Sequence, residues 1–152
     1  MGEKKPEAVP GCRIEKAQPQ DAAMMLELWR SIPGLGVGRG DDEGSLKAFM
    51  DKNPSTCLVL KKNKQLIGTV LGGFDGRRGY LYHLAVHPDY QGRGYGKTLL
   101  GQVSHELKLL GVPKIHLFAF SDNLEAAQFY KNQGWERRRD IKVFSWDTNN
   151  NG

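Results

Sequence analysis

The sequence predicts an α/β fold, a sheet flanked by helices. Three observations carry this. Apolar residues change period along the chain, from strand-like runs to helical spacing and back. Short apolar runs such as TCLVL, QLIGTV and KIHLFAF are bounded by turn residues. An amphipathic stretch between YLYHLAV and KIHLFAF reads as a helix crossing over between two central strands.

The elements follow in order. CRIEK is a short strand. PQDAAMMLELWRSI is a helix, with Met25, Leu28, Trp29 and Ile32 at helical spacing and Asp21 in an acidic first turn. PGLGVGRGDDEG, residues 33–44, is a Gly-rich loop long enough to act as a lid or substrate loop. SLKAFMDKN is a short helix. TCLVLKK and QLIGTVLGGF flank Lys62-Asn63-Lys64 as a hairpin. After the turn DGRRG, YLYHLAVHP is a strand closed by Pro88. Residues 94–110 form a helix with Leu99, Leu100, Val103, Leu107 and Leu110 on one face and Gly111 as its cap. KIHLFAF is a buried strand and NLEAAQFYKNQG a helix ended by Gly134. WERRR and IKVFSW complete the order as two more strands.

A chain of 152 residues has the size of one domain. With 39% apolar and 26% charged residues, it has the composition of a folded globular protein rather than a disordered one. Residues 1–11 are expected to be a flexible leader, 12–147 a single domain and 148–152 a flexible tail. The net charge of +5 favours anionic partners, but Lys and Arg are scattered rather than gathered in the stripe of a nucleic-acid binder. No run approaches the 18 apolar residues of a membrane span. MGEKKPEAVPG lacks the apolar core of a signal peptide, so the cytoplasm is the expected compartment. Cys12 and Cys57 form no CxxC and no Cys/His cluster, and no metal is expected. Cys57, inside TCLVL, reads as a small buried hydrophobe rather than a nucleophile.

The stretch 91-QGRGYGKTLL-100 ends like a P-loop, yet Gln91 stands where that motif requires its first glycine. The glycines at 92, 94 and 96 also miss the G-x-G-x-x-G spacing. A strand, a Gly-rich turn and a helix start nevertheless make an anion site, because unpaired N–H groups and the helix dipole both favour negative charge. A plain flexible turn is the alternative reading.

Gln91-Gly92-Arg93-Gly94-Tyr95-Gly96 resembles the Q/R-x-x-G-x-G/A motif of the GNAT superfamily of N-acetyltransferases. Downstream, Asn123, Ala126, Phe129, Tyr130 and Gly134-Trp135 match a second motif of that family, and the resemblance runs from about Cys12 to Trp146. The stretch 72-GGFDGRRG-79 is similar to a G-x-D-G-x-R-G turn in a group of small bacterial members. The resemblance implies a central, mixed, mostly antiparallel twisted sheet of about 6–7 strands with about four helices, splayed at a central parallel pair.

It also implies acetyl-CoA as co-substrate and a primary amine as acceptor, with a homodimer left open and no nucleic-acid or membrane partner. By analogy, backbone N–H groups from Arg93 through Thr98 (Arg93, Gly94, Tyr95, Gly96, Lys97, Thr98) cradle the CoA pyrophosphate, with Gln91 and Gly92 leading in. The pantetheine arm runs beside Leu84, Ala85 and Val86. Asn123 bonds the arm, Ala126 and Phe129 pack near it, and Lys97 or Lys131 adds charge. The Val86 amide is the implied oxyanion donor and Tyr130 the implied general acid at the thiolate.

The base is less defined. Members that acetylate a ribosomal-protein N-terminus carry a Glu at the position of Phe118, so this chain departs from them. Other members place a Glu or Tyr at Tyr80, which implies a proton-relay water there. Alternation in 80-YLYHLAV-86 puts Tyr80, Tyr82 and Leu84 on one face and His83 on the other. His83 reads as a base or as a packed strand histidine, and Asp75 as a cation site or a turn former. Asp41, Asp42 and Glu43 suit a cationic acceptor, Arg77 and Arg78 a carboxylate. A non-catalytic acyl-CoA-binding module is the rival function.

Overall fold

Glycines and a buried hairpin decide how this chain layers. The structure, a computed structural model, describes residues 11–149. The expected leader, apart from Gly11, and the last three residues of the expected tail lie outside the described residues. The elements are β1 (Cys12–Lys16), α1 (Ala22–Ser31), α2 (Glu43–Lys52), β2 (Cys57–Lys62), β3 (Gln65–Phe74), β4 (Gly79–Val86), α3 (Tyr95–Leu109), β5 (Ile115–Leu117) and α4 (Leu124–Asn132). The sheet order is β1-β2-β3-β4-β5, with the first four antiparallel and β4–β5 parallel. The α/β class and the mixed, mostly antiparallel sheet are as expected.

Two compact units divide between Phe118 and Ala119. In the first, β3 is buried from Leu66 to Gly73, as a strand covered on both faces must be. On one face α1 and α2 bury Met25, Leu28, Trp29, Leu46 and Met50. On the other, α3 buries Leu99, Val103 and Leu107 completely. Gly68 and Gly72 let α3 approach: a Cβ on Gly68 would meet Leu99 Cδ1 at 3.0 Å, and one on Gly72 would meet Val103 Cγ2 at 2.9 Å. Cys57 is buried too, and burial pushes its thiol up to about 12.

Three details depart from the sequence reading. Asp21 lies not in the first turn of α1 but at its N-cap, and is 1% exposed. Its carboxylate accepts from Gln18 N at 2.8 Å and from Lys61 Nζ at 2.8 Å. Helix α3 stops at Leu109, so Leu110 turns outward as the C-cap and is 44% exposed, while Gly111 takes φ +87°. Tyr95 is buried instead, with its hydroxyl 3.4 Å from Cys12 Sγ.

In the second unit, α4 is capped by Asn123, and the Tyr130 ring lies 5.2 Å from Phe129 and 6.0 Å from Trp135. WERRR and IKVFSW are not strands, and five strands rather than 6–7 form the sheet among the described residues. A strand requires a ladder partner, and this segment makes a local bond instead: Arg138 is bidentate to Asp140 at 2.9 Å. Strand β5 is likewise shorter than KIHLFAF suggested, ending at Leu117.

Candidate active site

The site begins where β4 loses its partner. Parallel pairing with β5 covers only Gly79, Tyr80 and Leu81, so on that edge Tyr82–Val86 have no strand beside them among the described residues. Leu84 and Val86 therefore lie along an open edge, where an extended ligand can add as a pseudo-strand, while Ala85 between them pairs with Thr69 of β3.

On the opposite edge, the β3–β4 register shifts between Thr69↔Ala85 and Leu71↔Tyr82. His83 and Leu84 thus oppose the single residue Val70, a β-bulge. His83 takes φ +49°, a conformation uncommon for a bulky side chain. The bulge overturns the alternation read from the sequence: Tyr82 and His83 line the same cavity rather than opposite faces.

Past Val86 the chain makes a braced loop. His87 N donates to Ile67 O at 2.8 Å, and His87 Nδ1 accepts from Asp89 N at 3.1 Å. A 3-10 turn over Pro88–Tyr90 follows, and Gln91 Nε2 returns to donate to Val86 O at 2.9 Å. Gly92 and Gly94 sit at φ +79° and +86°, and Gly94 is the N-cap of α3 with no side-chain cap. The first N–H groups of α3, from Tyr95, Gly96 and Lys97, have no carbonyl one turn back within the helix. Nothing lies within 4 Å of where a Cβ on Gly92 or Gly94 would sit, so this face is open to an anion. Arg93 lies 5.6 Å and Lys62 Nζ 5.4 Å from the Tyr90 ring, two cations flanking the loop.

One expected donor drops out. Thr98 N is committed to Gly94 O at 3.0 Å, and Thr98 Oγ1 donates to the same carbonyl at 3.0 Å. The helix has begun by then, so the unpaired N–H groups of its first turn end at Lys97. Tyr95 has only its backbone to offer, since its side chain is buried.

The base candidates separate. Asp75 Oδ1 accepts from Arg77 N at 2.8 Å and Arg78 N at 2.6 Å, and those bonds hold its carboxyl below the usual range. It is a turn former. Tyr80 stacks on Phe118 at 6.5 Å and lies 5.8 Å from His116, inside an aromatic group over the β4–β5 pair. Arg78 Nη1 is 3.3 Å from His116 Nε2. Asp42 caps α2, accepting from Ser45 N at 2.8 Å and from Ser45 Oγ at 3.0 Å.

Asp41 behaves differently. Its Oδ1 is 2.9 Å from His83 Nε2, and its Oδ2 accepts from Gly38 N at 2.9 Å. The His83 ring also stacks on Trp29 at 4.2 Å and 26°. Trp29 Nε1 donates to Thr69 Oγ1 at 2.8 Å, and Thr69 Oγ1 donates to His83 O at 2.8 Å. Asp41 and His83 border a cavity of about 380 Å³ that Arg39, Ser45, Phe49 and Tyr82 also line. The sequence carried no signal for this link. The partners are 42 residues apart, and the bulge that aims His83 depends on strand register.

In the second unit, Asn123 Oδ1 accepts from Ala126 N at 3.0 Å, which leaves its amide N–H₂ for other use. Burial raises the Tyr130 phenol above its ordinary range, keeping it protonated at neutral pH. Phe118, in the first unit, is 59% exposed.

Comparison with known proteins agrees with this geometry. Residues 22–135 match the model of the acetyltransferase (GNAT) family. An acetyltransferase of Pectobacterium atrosepticum is 36% identical over 116 residues, covering 76% of this chain and 82% of that protein. The PaiA N-acetyltransferase of Thermoplasma acidophilum in complex with coenzyme A superposes with a TM-score of 0.68 at 19% identity, covering 80% of this chain and 87% of that one. The Salmonella typhimurium protein yncA, with its cofactor acetyl-CoA, gives 0.67 at 22%, covering 82% and 79%. With the family match spanning both sequence motifs and the open strand edge meeting an uncapped helix start, this chain belongs to the acetyltransferase (GNAT) family.

Proposed function

We propose that the chain is an acetyl-CoA-dependent N-acetyltransferase that moves acetyl to a primary amine by direct attack in a ternary complex, in the cytoplasm. The observation that carries this is the open β4 edge running into the glycine loop. An extended pantetheine arm can pair with Leu84–Val86 while its pyrophosphate meets the amides of Arg93 through Lys97. Solved relatives of this fold bound to CoA or acetyl-CoA support the cofactor. We take 12–147 as one functional domain, since the family match runs through the boundary at Phe118.

In this reading the Val86 N–H stabilises the developing oxyanion, and Tyr130 gives its proton to the departing CoA thiolate. Asn123 uses its remaining N–H₂ on the cofactor arm and Phe129 packs against it. Lys97, exposed on the first turn of α3, adds charge near the phosphates. Phe118 cannot serve as a base, which argues against the ribosomal-protein type of acceptor.

The test is thiol release from acetyl-CoA with polyamines, amino acids, aminoglycosides and peptide N-termini. Tyr130→Phe is expected to lower kcat about 10²-fold with acetyl-CoA affinity retained. Stabilisation by acetyl-CoA without thiol release for any amine would favour a non-catalytic acyl-CoA sensor instead.

A further inference from the structure

We propose that His83 is the proton acceptor for the incoming amine, positioned by Asp41, and that the cavity they border holds the acceptor. This rests on the acetyltransfer reading above. His83 holds a left-handed backbone conformation within a strand, and such conformations gather at functional positions. Here the ring is held by Asp41 at Nε2 and by Trp29 on its face, and the backbone by Thr69 at the His83 carbonyl.

The carboxylate assigns the tautomer. Facing Asp41 Oδ1 at 2.9 Å, Nε2 carries the proton, and Nδ1 keeps the lone pair that a base requires. Asp41 in turn accepts from Gly38 N, so the loop that carries it and the bulge that carries His83 meet at one corner. The charged and titratable groups bordering that corner are Asp41 and Arg39 from the loop and Tyr82 from the same strand. The neighbouring helices and β3 add apolar surface, Trp29 against the His83 ring and Phe49 and Leu71 in the wall of the cavity. His83 also lies three residues before Val86, on the strand whose open edge is assigned to the thioester arm.

The step balances. Nδ1 takes one proton from the ammonium, and the freed nitrogen lone pair forms the N–C bond at the thioester carbon. The C–S electron pair leaves with sulfur, which takes the second proton from nitrogen by way of the Tyr130 acid. The amide keeps one hydrogen, and His83 returns its proton to solvent.

His83→Asn is the informative variant, because Asn tolerates left-handed φ and has no basic nitrogen. The assay is thiol release against pH, using whichever of spermidine, 2-phenylethylamine, kanamycin or a serine-initiated peptide the wild type acetylates. His83→Asn is expected to lower kcat/KM about 10²–10³-fold at pH 7, with the acetyl-CoA KM unchanged. Its rate should then climb about tenfold per pH unit toward the amine's own pKa, since only amine already neutral reacts. Added imidazole should restore part of the rate. Asp41→Asn, which leaves the backbone at 83 alone, is expected to distort the same pH profile and covers the case in which His83→Asn does not fold. A kcat/KM within about threefold of wild type and an unchanged profile in either folded variant would overturn the proposal while leaving acetyltransfer standing. Absence of thiol release by the wild type with every amine would remove both.

Discussion

Replacing Gly72 with alanine tests the close seating of α3 on the sheet. A Cβ there would lie 2.9 Å from Thr56 O, 2.9 Å from Val103 Cγ2 and 3.1 Å from Thr56 Cβ. Ordinary contact between such atoms is about 3.5–4.0 Å, so the methyl is short by about 0.6–1.1 Å on both sides. Thr56 is fully buried and doubly tied to Gly72: Gly72 N donates to Thr56 O at 2.8 Å, and Thr56 Oγ1 donates to Gly72 O at 2.6 Å. Relief on that side stretches a backbone bond, and on the other it pushes α3 outward. Overpacking of about 1–3 kcal/mol plus about 1 kcal/mol of weakened hydrogen bonding gives about 2–4 kcal/mol of destabilisation. For a chain of this size that lowers Tm by about 5–15 °C. Gly101→Ala is the matched control: it sits on the exposed side of α3 with nothing within 4 Å of a Cβ. It is expected to raise stability by about 0.5–1 kcal/mol. Thermal and urea melts of both variants decide the matter. A Gly72→Ala protein as stable as wild type, or changes of the same sign in both, would refute the packing argument.

Three further outcomes follow from the same geometry. Gly94→Val forces a branched residue into φ +86° at the N-cap of α3 and should weaken acetyl-CoA binding at least tenfold by calorimetry, since cradle amides shift. Lys61→Met strands the buried Asp21 carboxylate and should cost about 3 kcal/mol in urea unfolding. Asp21 raises the Lys61 pKa and Lys61 lowers that of Glu15, so their contribution is full between the ordinary values of 4.5 and 10.5. It is lost as pH falls through the lowered Glu15 value or rises through the raised Lys61 value. Cys57, its thiol pushed up to about 12 by burial, should resist alkylation at pH 8 until the protein unfolds, as followed by mass spectrometry.

Periodicity carried the reading of this chain as far as local chemistry reaches. Met25, Leu28 and Trp29 announce α1 because a helix writes its buried face at fixed spacing, and Gly111 and Gly134 mark helix ends because left-handed φ favours glycine. The glycines of the loop were legible for the same reason, since Gly92 and Gly94 also take left-handed φ. Alternation failed at His83, where a register shift between two strands, invisible to either strand alone, turns the side chain. It failed again in WERRR and IKVFSW, which have the composition of strands and no ladder partner among the described residues. The burial of Asp21 left no mark in the sequence, because its partner Lys61 lies 40 residues away. Asp41 and Asp42 look alike in sequence, yet one faces His83 and the other caps a helix.

The bond from Gln91 to the Val86 carbonyl has a kinetic side. It closes the segment 87–91 onto the strand that feeds it before any ligand arrives. Ordering this segment is therefore charged to folding and not to capture, so the encounter needs little loop rearrangement and association can run faster than for a loop that must first settle. Cutting that one side-chain bond should slow the on-rate more than it speeds release. That pattern separates a preset receptor from one that moulds itself around its guest.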